Sequence, residues 1–197
     1  MTRTIAIMAG AALILLFATL VLVVMPYTQM ASESVPEGLE PYSKAEQRGR
    51  DVYISQGCVY CHSQQPRDPG FGGGADQKRG WGRAPVPGDY AYDQPHLMGT
   101  MRTGPDLLNI GARQPSETWH LVHLYNPRAV VEDSIMPSYR FLFEVVEDPA
   151  PEDKVVDIPA PYGPDQGKVV TTQAAEDLVA YLKSLDRTYP TDALPDE

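Results

Sequence analysis

The chain is poor in cysteine and lacks the motifs that mark several common functions. It has only two cysteines in 197 residues, so no second pair is present to complete a four-ligand zinc site. There is no internal repeat, no glycine-rich nucleotide fingerprint after a strand, and no basic patch with interleaved aromatic residues. These absences argue against a phosphate-binding loop and against nucleic acid as a partner.

Long hydrophobic runs are also scarce, and the one that is present lies at the N-terminus. Residues 5–25 contain no charged side chain, and a helix of that length spans about 30 Å, the thickness of the hydrocarbon layer of a membrane. The alternative is a cleaved signal peptide, but its apolar core is usually shorter. It also ends at a small-x-small cleavage site, which residues 23–27 do not provide. We therefore predict an uncleaved transmembrane anchor over residues 1–27.

Few positive charges flank this segment, and they lie on one side of it. Arg3 precedes it, and no Lys or Arg follows it until Lys44. The positive-inside rule then places the N-terminus in the cytoplasm and the rest of the chain outside. We expect a single-pass protein of the bacterial cytoplasmic (inner) membrane, in contact with its lipid, with the following domain on the periplasmic side.

Negative charge is concentrated in the second half of the chain. Residues 44–113 hold nine Lys and Arg against seven Asp and Glu, whereas residues 114–197 hold six against sixteen. Two interpretations stay open: an acidic surface keeps a domain soluble, and it also attracts a basic soluble partner.

Proline and glycine divide the chain into regions. Residues 28–42 are polar and predict a stalk, residues 43–190 are the predicted domain, and residues 191–197 are a short tail. Within the domain, residues 64–101 are rich in Gly and Pro, and residues 144–166 are acidic and rich in Pro. We expect both of these segments to be long and irregular.

Three segments of the domain have helical periodicity and recognisable end signals. Ser43 and Glu46 form a capping box for a first helix over residues 44–56. A second helix is predicted over residues 117–125 and a third over residues 172–185. A mainly α domain follows from this pattern.

A glycine in the first predicted helix indicates how two of these helices meet. Gly49 lies on its apolar face and has no side chain to hold a neighbour away. We expect the third helix to approach it closely, with Tyr181 packed over it.

Both cysteines belong to the motif C-V-Y-C-H at residues 58–62. The C-x-x-C-H spacing is the attachment pattern of a c-type haem, in which two thiols add to the vinyl groups at one edge of the porphyrin and the histidine binds iron. A thioredoxin-type pair expects a βαβ setting, half a zinc site lacks its partner, and a disulfide across two residues stabilises little. We predict that Cys58 and Cys61 hold one haem c and that His62 is an iron ligand.

The second iron ligand is less clearly marked. Met136 is the leading candidate, because Pro137 follows it and holds the loop out of regular structure. A methionine ligand is typical of haems that transfer electrons. The other candidates are His96, Met98, Met101, His120 and His123. For His120 and His123 we favour packing, capping or contact with a partner.

The stretch R-T-G-P-D-L at residues 102–107 lies between the haem motif and Met136. The carbonyl of Pro105 is a candidate to accept the ring N–H of His62, which would select the tautomer and strengthen the ligand. Arg102 or Arg113 is a candidate to neutralise a buried haem propionate. The ordinary alternatives are a turn residue and surface charges.

These motifs together resemble a known family. The haem motif, T-G-P-D-L and M-P resemble class I cytochromes c in general. The N-terminal anchor, the long insertion after C-V-Y-C-H-S-Q, and the stretches RTGPDLLNIGAR, WHLVHLYNPR and SIMPSY resemble the membrane-anchored mono-haem subunit, subunit II, of cbb3-type cytochrome c oxidases.

The resemblance implies a class I cytochrome c domain with long irregular insertions, mainly α, on a single N-terminal transmembrane helix. It implies one covalent haem c, with Met136 as the distal ligand. The expected partners are the catalytic haem–copper subunit, other cytochrome c subunits and a donor cytochrome. By the same resemblance, the loop over residues 64–101 would wrap on partner subunits, and the helix with Trp119 would be a packing or docking surface.

The expected role is therefore an electron relay, without catalytic chemistry of its own, in a haem–copper oxygen reductase. The first alternative is the small cytochrome c subunit of a nitric oxide reductase, and the second is a free-standing membrane-tethered electron carrier. A third, from another class, is a haem enzyme or gas sensor in which Met136 does not bind the iron.

Overall fold

The computed structural model describes residues 2–32, 34–68, 70 and 75–190. The predicted tail over 191–197 and the glycine run at 72–74 lie outside these residues. The described part is mostly helical. Its helices are α1 (Thr2–Ala31), α2 (Lys44–Ser55), α3 (Ala75–Lys78), α4 (Ile110–Arg113), α5 (Glu117–Tyr125) and α6 (Gln173–Ser184). Its strands are β1 (Phe143–Val146), β2 (Val155–Val156) and β3 (Lys168–Thr171).

The N-terminal apolar segment forms the long helix α1. Among the described residues it is the one helix long and apolar enough to cross a membrane, and none of its side chains is buried in the rest of the protein. The helix continues past the predicted boundary at residue 27 to Ala31. It widens into a π-helical turn at Leu20–Val24, just before Pro26. Because proline lacks an N–H and crowds the preceding turn, a locally wider helix accommodates it.

Helix α2 begins and ends where its sequence signals predict. The backbone N–H of Ser43 donates to Glu46 Oε2 at 2.6 Å, and Glu46 N–H donates to Ser43 Oγ at 3.3 Å, so the capping box is present. Gly57 follows the helix with φ of 70°, a left-handed conformation that glycine adopts without steric cost. The chain therefore turns sharply just before Cys58.

Helices α2 and α6 pack directly against each other at Gly49. A Cβ atom at this position would lie 1.8 Å from the carbonyl oxygen of Asp177 and 2.8 Å from Cβ of Tyr181. The predicted close approach is confirmed. The rings of Tyr53 and Tyr181 meet edge to face with centroids 5.5 Å apart, and Arg48 binds the Asp177 carboxylate through two hydrogen bonds of 2.6 and 2.7 Å.

The segment over 144–166, which we expected to be irregular, contributes to a small sheet. Strand β3 lies between β1 and β2 and is antiparallel to both, with Phe143 opposite Thr171 and Val155 opposite Val170. Phe143 and Val170 are buried. The strands are only two to four residues long, so their Val-rich stretches are too short to show a period of two in the sequence.

The Gly/Pro-rich insertion packs on its own domain through buried charges. Arg50 of α2 is 2 % exposed; its Nε donates to Asp93 Oδ1 at 2.9 Å, and its other nitrogens donate to the carbonyls of Gln94 and Pro95. Asp89, also buried, pairs with Arg83 at 2.8 Å. These contacts hold part of the loop on its own domain. Its wrapping on partner subunits stays a prediction.

The stalk is also more than a spacer, because its second half is packed. Leu39 is buried, and Tyr189 lies directly against Gly38, where a Cβ would be 3.2 Å from Tyr189 Cβ. The carbonyl of Ser34 and the ring of Pro36 lie against Gly88 of the insertion. Contacts with the insertion and the C-terminal segment therefore hold residues 34–39.

Candidate functional site

The two cysteines lie in a tight turn directly after α2. Residues Cys58–Tyr60 form one 3₁₀ turn, and the N–H groups of Cys61 and His62 both donate to the carbonyl of Cys58, at 3.1 and 2.9 Å. The two cysteines are not bonded to each other; Cys58 is partly buried and Cys61 is exposed. Burial raises the pKa of Cys58 to about 11, so this side chain is a neutral thiol. The arrangement presents two thiols just ahead of the histidine.

The imidazole of His62 is oriented by a backbone carbonyl. Its Nδ1 lies 2.8 Å from the carbonyl oxygen of Pro105, the contact that the sequence predicts. Because a carbonyl only accepts, Nδ1 carries the proton and Nε2 keeps a free lone pair. Burial lowers the pKa of His62, and the Pro105 carbonyl partly opposes that shift. A neutral ring with a free Nε2 is the form that binds a metal.

Gly104 makes room for this ring. A Cβ at position 104 would lie 2.2 Å from Cε1 and 2.7 Å from Nδ1 of His62. A side chain at this position would therefore push the imidazole away from Pro105. Gly104 was not identified as a site residue from the sequence. Its position directly before Pro105, the residue expected to accept the His62 N–H, could have indicated it.

Arg113 has an unpaired nitrogen in the same region. Its Nη2 donates to the carbonyl of Asp106 at 2.8 Å, whereas its buried Nη1 has no hydrogen-bond partner among the described residues. Burial lowers the pKa of Arg113, as expected for a guanidinium without enough compensating charge. A buried, unsatisfied donor calls for an acceptor, and a propionate would supply one.

Arg102 is engaged within the protein. Its Nε donates to Ser63 Oγ at 3.0 Å, and its Nη2 donates to the carbonyl of Gln65 at 2.5 Å. The same Nη2 lies 3.0 Å from the Asp76 carboxylate, and the guanidinium lies over the ring of Trp81. The structure therefore places Arg102 in a protein network, and its role toward a propionate stays a prediction.

The histidines of α5 have different surroundings. His120 is buried and its Nε2 lies 2.8 Å from the carbonyl of Gln114, which gives it a structural partner. The ring of His123 stacks on Trp119 with centroids 4.6 Å apart, and its buried Nδ1 has no partner among the described residues. Burial and then the neighbouring His62 lower the pKa of His123 to about 4, so its ring stays neutral.

No alternative metal site emerges from the part of the chain that the structure describes. It contains no group of three or more His, Cys, Asp or Glu side chains able to hold a metal ion. His96 lies against the ring of Tyr90 with centroids 5.9 Å apart.

Met136 and Cys58 both pack against the main hydrophobic core. Met136 is half-buried in a loop, and its N–H donates to Ser134 Oγ at 3.3 Å. Of the other methionine candidates, Met98 uses its carbonyl to accept from Gln64 N–H at 2.7 Å, and Met101 is 57 % exposed. Ligation by Met136 stays a prediction.

The residues around His62 fit a haem. The turn supplies two unpaired thiols followed by a neutral imidazole with a free Nε2. Because Gly104 has no side chain, the imidazole has the space that it occupies. Arg113 Nη1 is a buried donor without an acceptor among the described residues. These are the groups required to anchor a porphyrin, ligate its iron and meet an acidic side group.

A protein-family model described as the mono-haem subunit of cytochrome c oxidase, FixO, matches residues 1–188. No curated protein matches the chain.

Proposed function

The chain belongs to the FixO family of mono-haem cytochrome c oxidase subunits, and from this premise we propose that it relays electrons to the catalytic subunit of a cbb3-type haem–copper oxygen reductase. The resemblance of the sequence to the mono-haem subunit of these oxidases is confirmed by the family match, which covers nearly the whole chain. Association with other oxidase subunits follows from the family.

The observation that carries the proposal is the geometry at His62. The 2.8 Å contact to Pro105 orients the ring and leaves Nε2 free, directly after two unpaired thiols. Cys58 and Cys61 would bind one haem c through thioethers, His62 and Met136 would ligate its iron, and Arg113 would meet a propionate. When bound, such a haem takes up and releases one electron without breaking a bond.

The remaining parts of the chain support a relay in a membrane complex. Helix α1 would anchor the domain in the bacterial cytoplasmic membrane with the haem on the periplasmic side. The proposed class I cytochrome c domain would comprise α2, the haem motif, α5, the loop with Met136 and the closing helix α6. The acidic surface after residue 114 would attract a basic donor cytochrome.

Purification of the full chain from native membranes in mild detergent tests the proposal. We expect haem to stay on the polypeptide after denaturation and a multi-helix haem–copper subunit to travel with the chain. Replacement of both motif cysteines, Cys58→Ser with Cys61→Ser, should abolish covalent haem. Haem-free mature protein would refute the cofactor, and a haem-bearing chain that purifies alone would favour the free-standing carrier.

The predicted distal ligand is tested in the same material. We expect the oxidised protein to show the long-wavelength absorption band of a methionine–iron(III) bond. Met136→Leu should remove this band, whereas the matched change Met101→Leu, at an exposed methionine, should leave it. Persistence of the band in Met136→Leu would exclude Met136. Its absence from the unsubstituted protein would favour a haem enzyme or sensor.

A further inference from the structure

Two segments of chain run side by side around the contact between His62 and Pro105. The N–H of Gly104 donates to the carbonyl of Cys61 at 3.0 Å, and the N–H of Leu107 donates to the carbonyl of Ser63 at 2.8 Å. These bonds lie on either side of the His62–Pro105 contact. The position of the Pro105 carbonyl relative to the ring therefore depends on how well the two segments are held together.

A buried carboxylate joins the same segments through its side chain. Asp106 is fully buried. Its Oδ2 accepts from Ser63 Oγ at 2.6 Å and from Gln65 N–H at 2.7 Å, and its Oδ1 accepts from Leu108 N–H at 2.9 Å. Asp106 directly follows Pro105, and Ser63 directly follows His62. The bond between Ser63 and Asp106 therefore lies one residue from the His62–Pro105 contact on both segments.

The network extends from there into the Gly/Pro-rich insertion. Ser63 Oγ, while donating to Asp106, accepts from Arg102 Nε at 3.0 Å. Arg102 in turn pairs with the buried Asp76 at 3.0 Å, and Asp76 accepts from Arg67 N–H at 2.6 Å. A continuous series of bonds thus runs from α3 of the insertion to the residue after the histidine.

We propose that Asp106 is a positioning residue that holds the Pro105 carbonyl against His62, with Ser63, Arg102 and Asp76 bracing it from the insertion. The inference rests on the proposed function, because it concerns how firmly the iron ligand is held. A histidine whose ring N–H is bound to a carbonyl is a stronger donor to iron. Loosening the contact weakens that donation and disfavours the oxidised form, so the reduction potential rises.

The substitution Asp106→Asn is the direct test because it keeps the size and removes one acceptor. The carboxylate accepts three bonds through both of its oxygens, whereas an amide has one oxygen and two N–H donors. The side-chain amide of the introduced Asn can be placed in two ways. In one its NH2 group faces the N–H of Leu108, and in the other it faces the N–H of Gln65, so in both cases two donors meet. The two segments then lose part of their connection next to Pro105.

The readouts are taken on the full-length, haem-loaded protein in detergent. In the reduced state, deuterium exchange of the His62 ring N–H is followed by nuclear magnetic resonance, and the reduction potential is measured by titration. We expect exchange to accelerate about fivefold or more, the effect of losing roughly one net hydrogen bond, and the potential to rise. Neither readout is an oxidase activity.

Asp89→Asn is the matched control. Asp89 is equally buried. Like Asp106, it accepts from a backbone N–H, that of Val86 at 2.8 Å, and from a hydroxyl, that of Tyr189 at 2.8 Å; it also pairs with Arg83. It has no bond to residues 61–65 or 104–108. We expect it to lower stability while leaving ring exchange and potential at their original values.

Ser63→Ala is a second, milder variant. It tests the positioning role of Asp106 if Asp106→Asn does not fold. It should move both readouts in the same direction by less. Unchanged exchange and potential in the folded variants, or equal changes in Asp89→Asn, would overturn the positioning role alone. Absence of haem from the unsubstituted protein, seen before any variant is compared, would overturn the proposed function and this inference with it.

Discussion

His62 and Met136, the two residues expected to bind the iron from opposite sides, lie in very different surroundings. His62 is bound to Pro105 and flanked by backbone bonds and by the Asp106 carboxylate. Met136 lies in a loop with one bond from its own N–H to Ser134 Oγ, beside Ile135, which is 74 % exposed. We call the surroundings of His62 the histidine side and those of Met136 the methionine side. Hydrogen bonds within the protein hold the histidine side in place, whereas the methionine side depends mainly on packing against the core.

The largest effect we expect is at the buried ion pair that ties α2 to the insertion. Arg50→Met would leave the Asp93 carboxylate buried, and among the described residues its remaining side-chain partner would be the hydroxyl of Tyr42 at 3.3 Å. Breaking a buried pair from one side costs about 3–5 kcal/mol. Urea unfolding of the haem-loaded protein measures this. A loss under about 1 kcal/mol would show that this ion pair contributes little to holding the insertion on α2.

Gly104→Ala tests the histidine side directly. The added Cβ would overlap the imidazole of His62, and such overpacking costs about 1–3 kcal/mol. We expect lower stability and a changed absorption spectrum from a displaced ligand. Gly163→Ala is the control, because the atoms nearest to its Cβ would belong to Ile158, at 3.4 Å or more. It should change stability by about 0.5 kcal/mol or less. Similar results for both would contradict the tight fit.

Met136→Leu tests the methionine side. Because Leu and Met are close in volume, the change in packing alone should alter the unfolding free energy by less than about 1.5 kcal/mol. A larger loss would measure the predicted bond from Met136 to the iron. The His62 ring N–H should exchange at its original rate, since the bond to Pro105 belongs to the other side. Accelerated exchange in this variant would show that the two sides are coupled, against the contrast drawn above.

The last effect concerns His123 and the pH dependence of stability. Burial holds the pKa of His123 at about 4, below its ordinary value of 6.5. The unfolded chain therefore binds this proton first as the pH falls, and stability is lost between about pH 6.5 and pH 4. His123→Asn should flatten the slope of unfolding free energy against pH in that window. An unchanged slope would mean that His123 is not held neutral in the fold.

Short stretches of sequence were sufficient to predict some elements of the fold. Ser43 with Glu46 marks the start of α2, and the apolar run at residues 5–25 marks α1, because capping and membrane thickness act over adjacent residues. The contact between His62 and Pro105 was expected from the motifs alone. The sheet was not, since β1 and β3 are short and pair only after the intervening segment folds back.

By itself, the sequence determined the chemistry: two thiols and an imidazole at a spacing that suits a porphyrin edge, and an apolar run that suits a membrane. Only the tertiary structure decided how that chemistry is supported. The approach of Gly104 to His62, the bonds of Asp106 and Arg102, and the folding of the insertion onto its own domain all join residues distant in the chain. Local pattern does not encode such contacts, because they depend on which buried polar groups meet when the core closes.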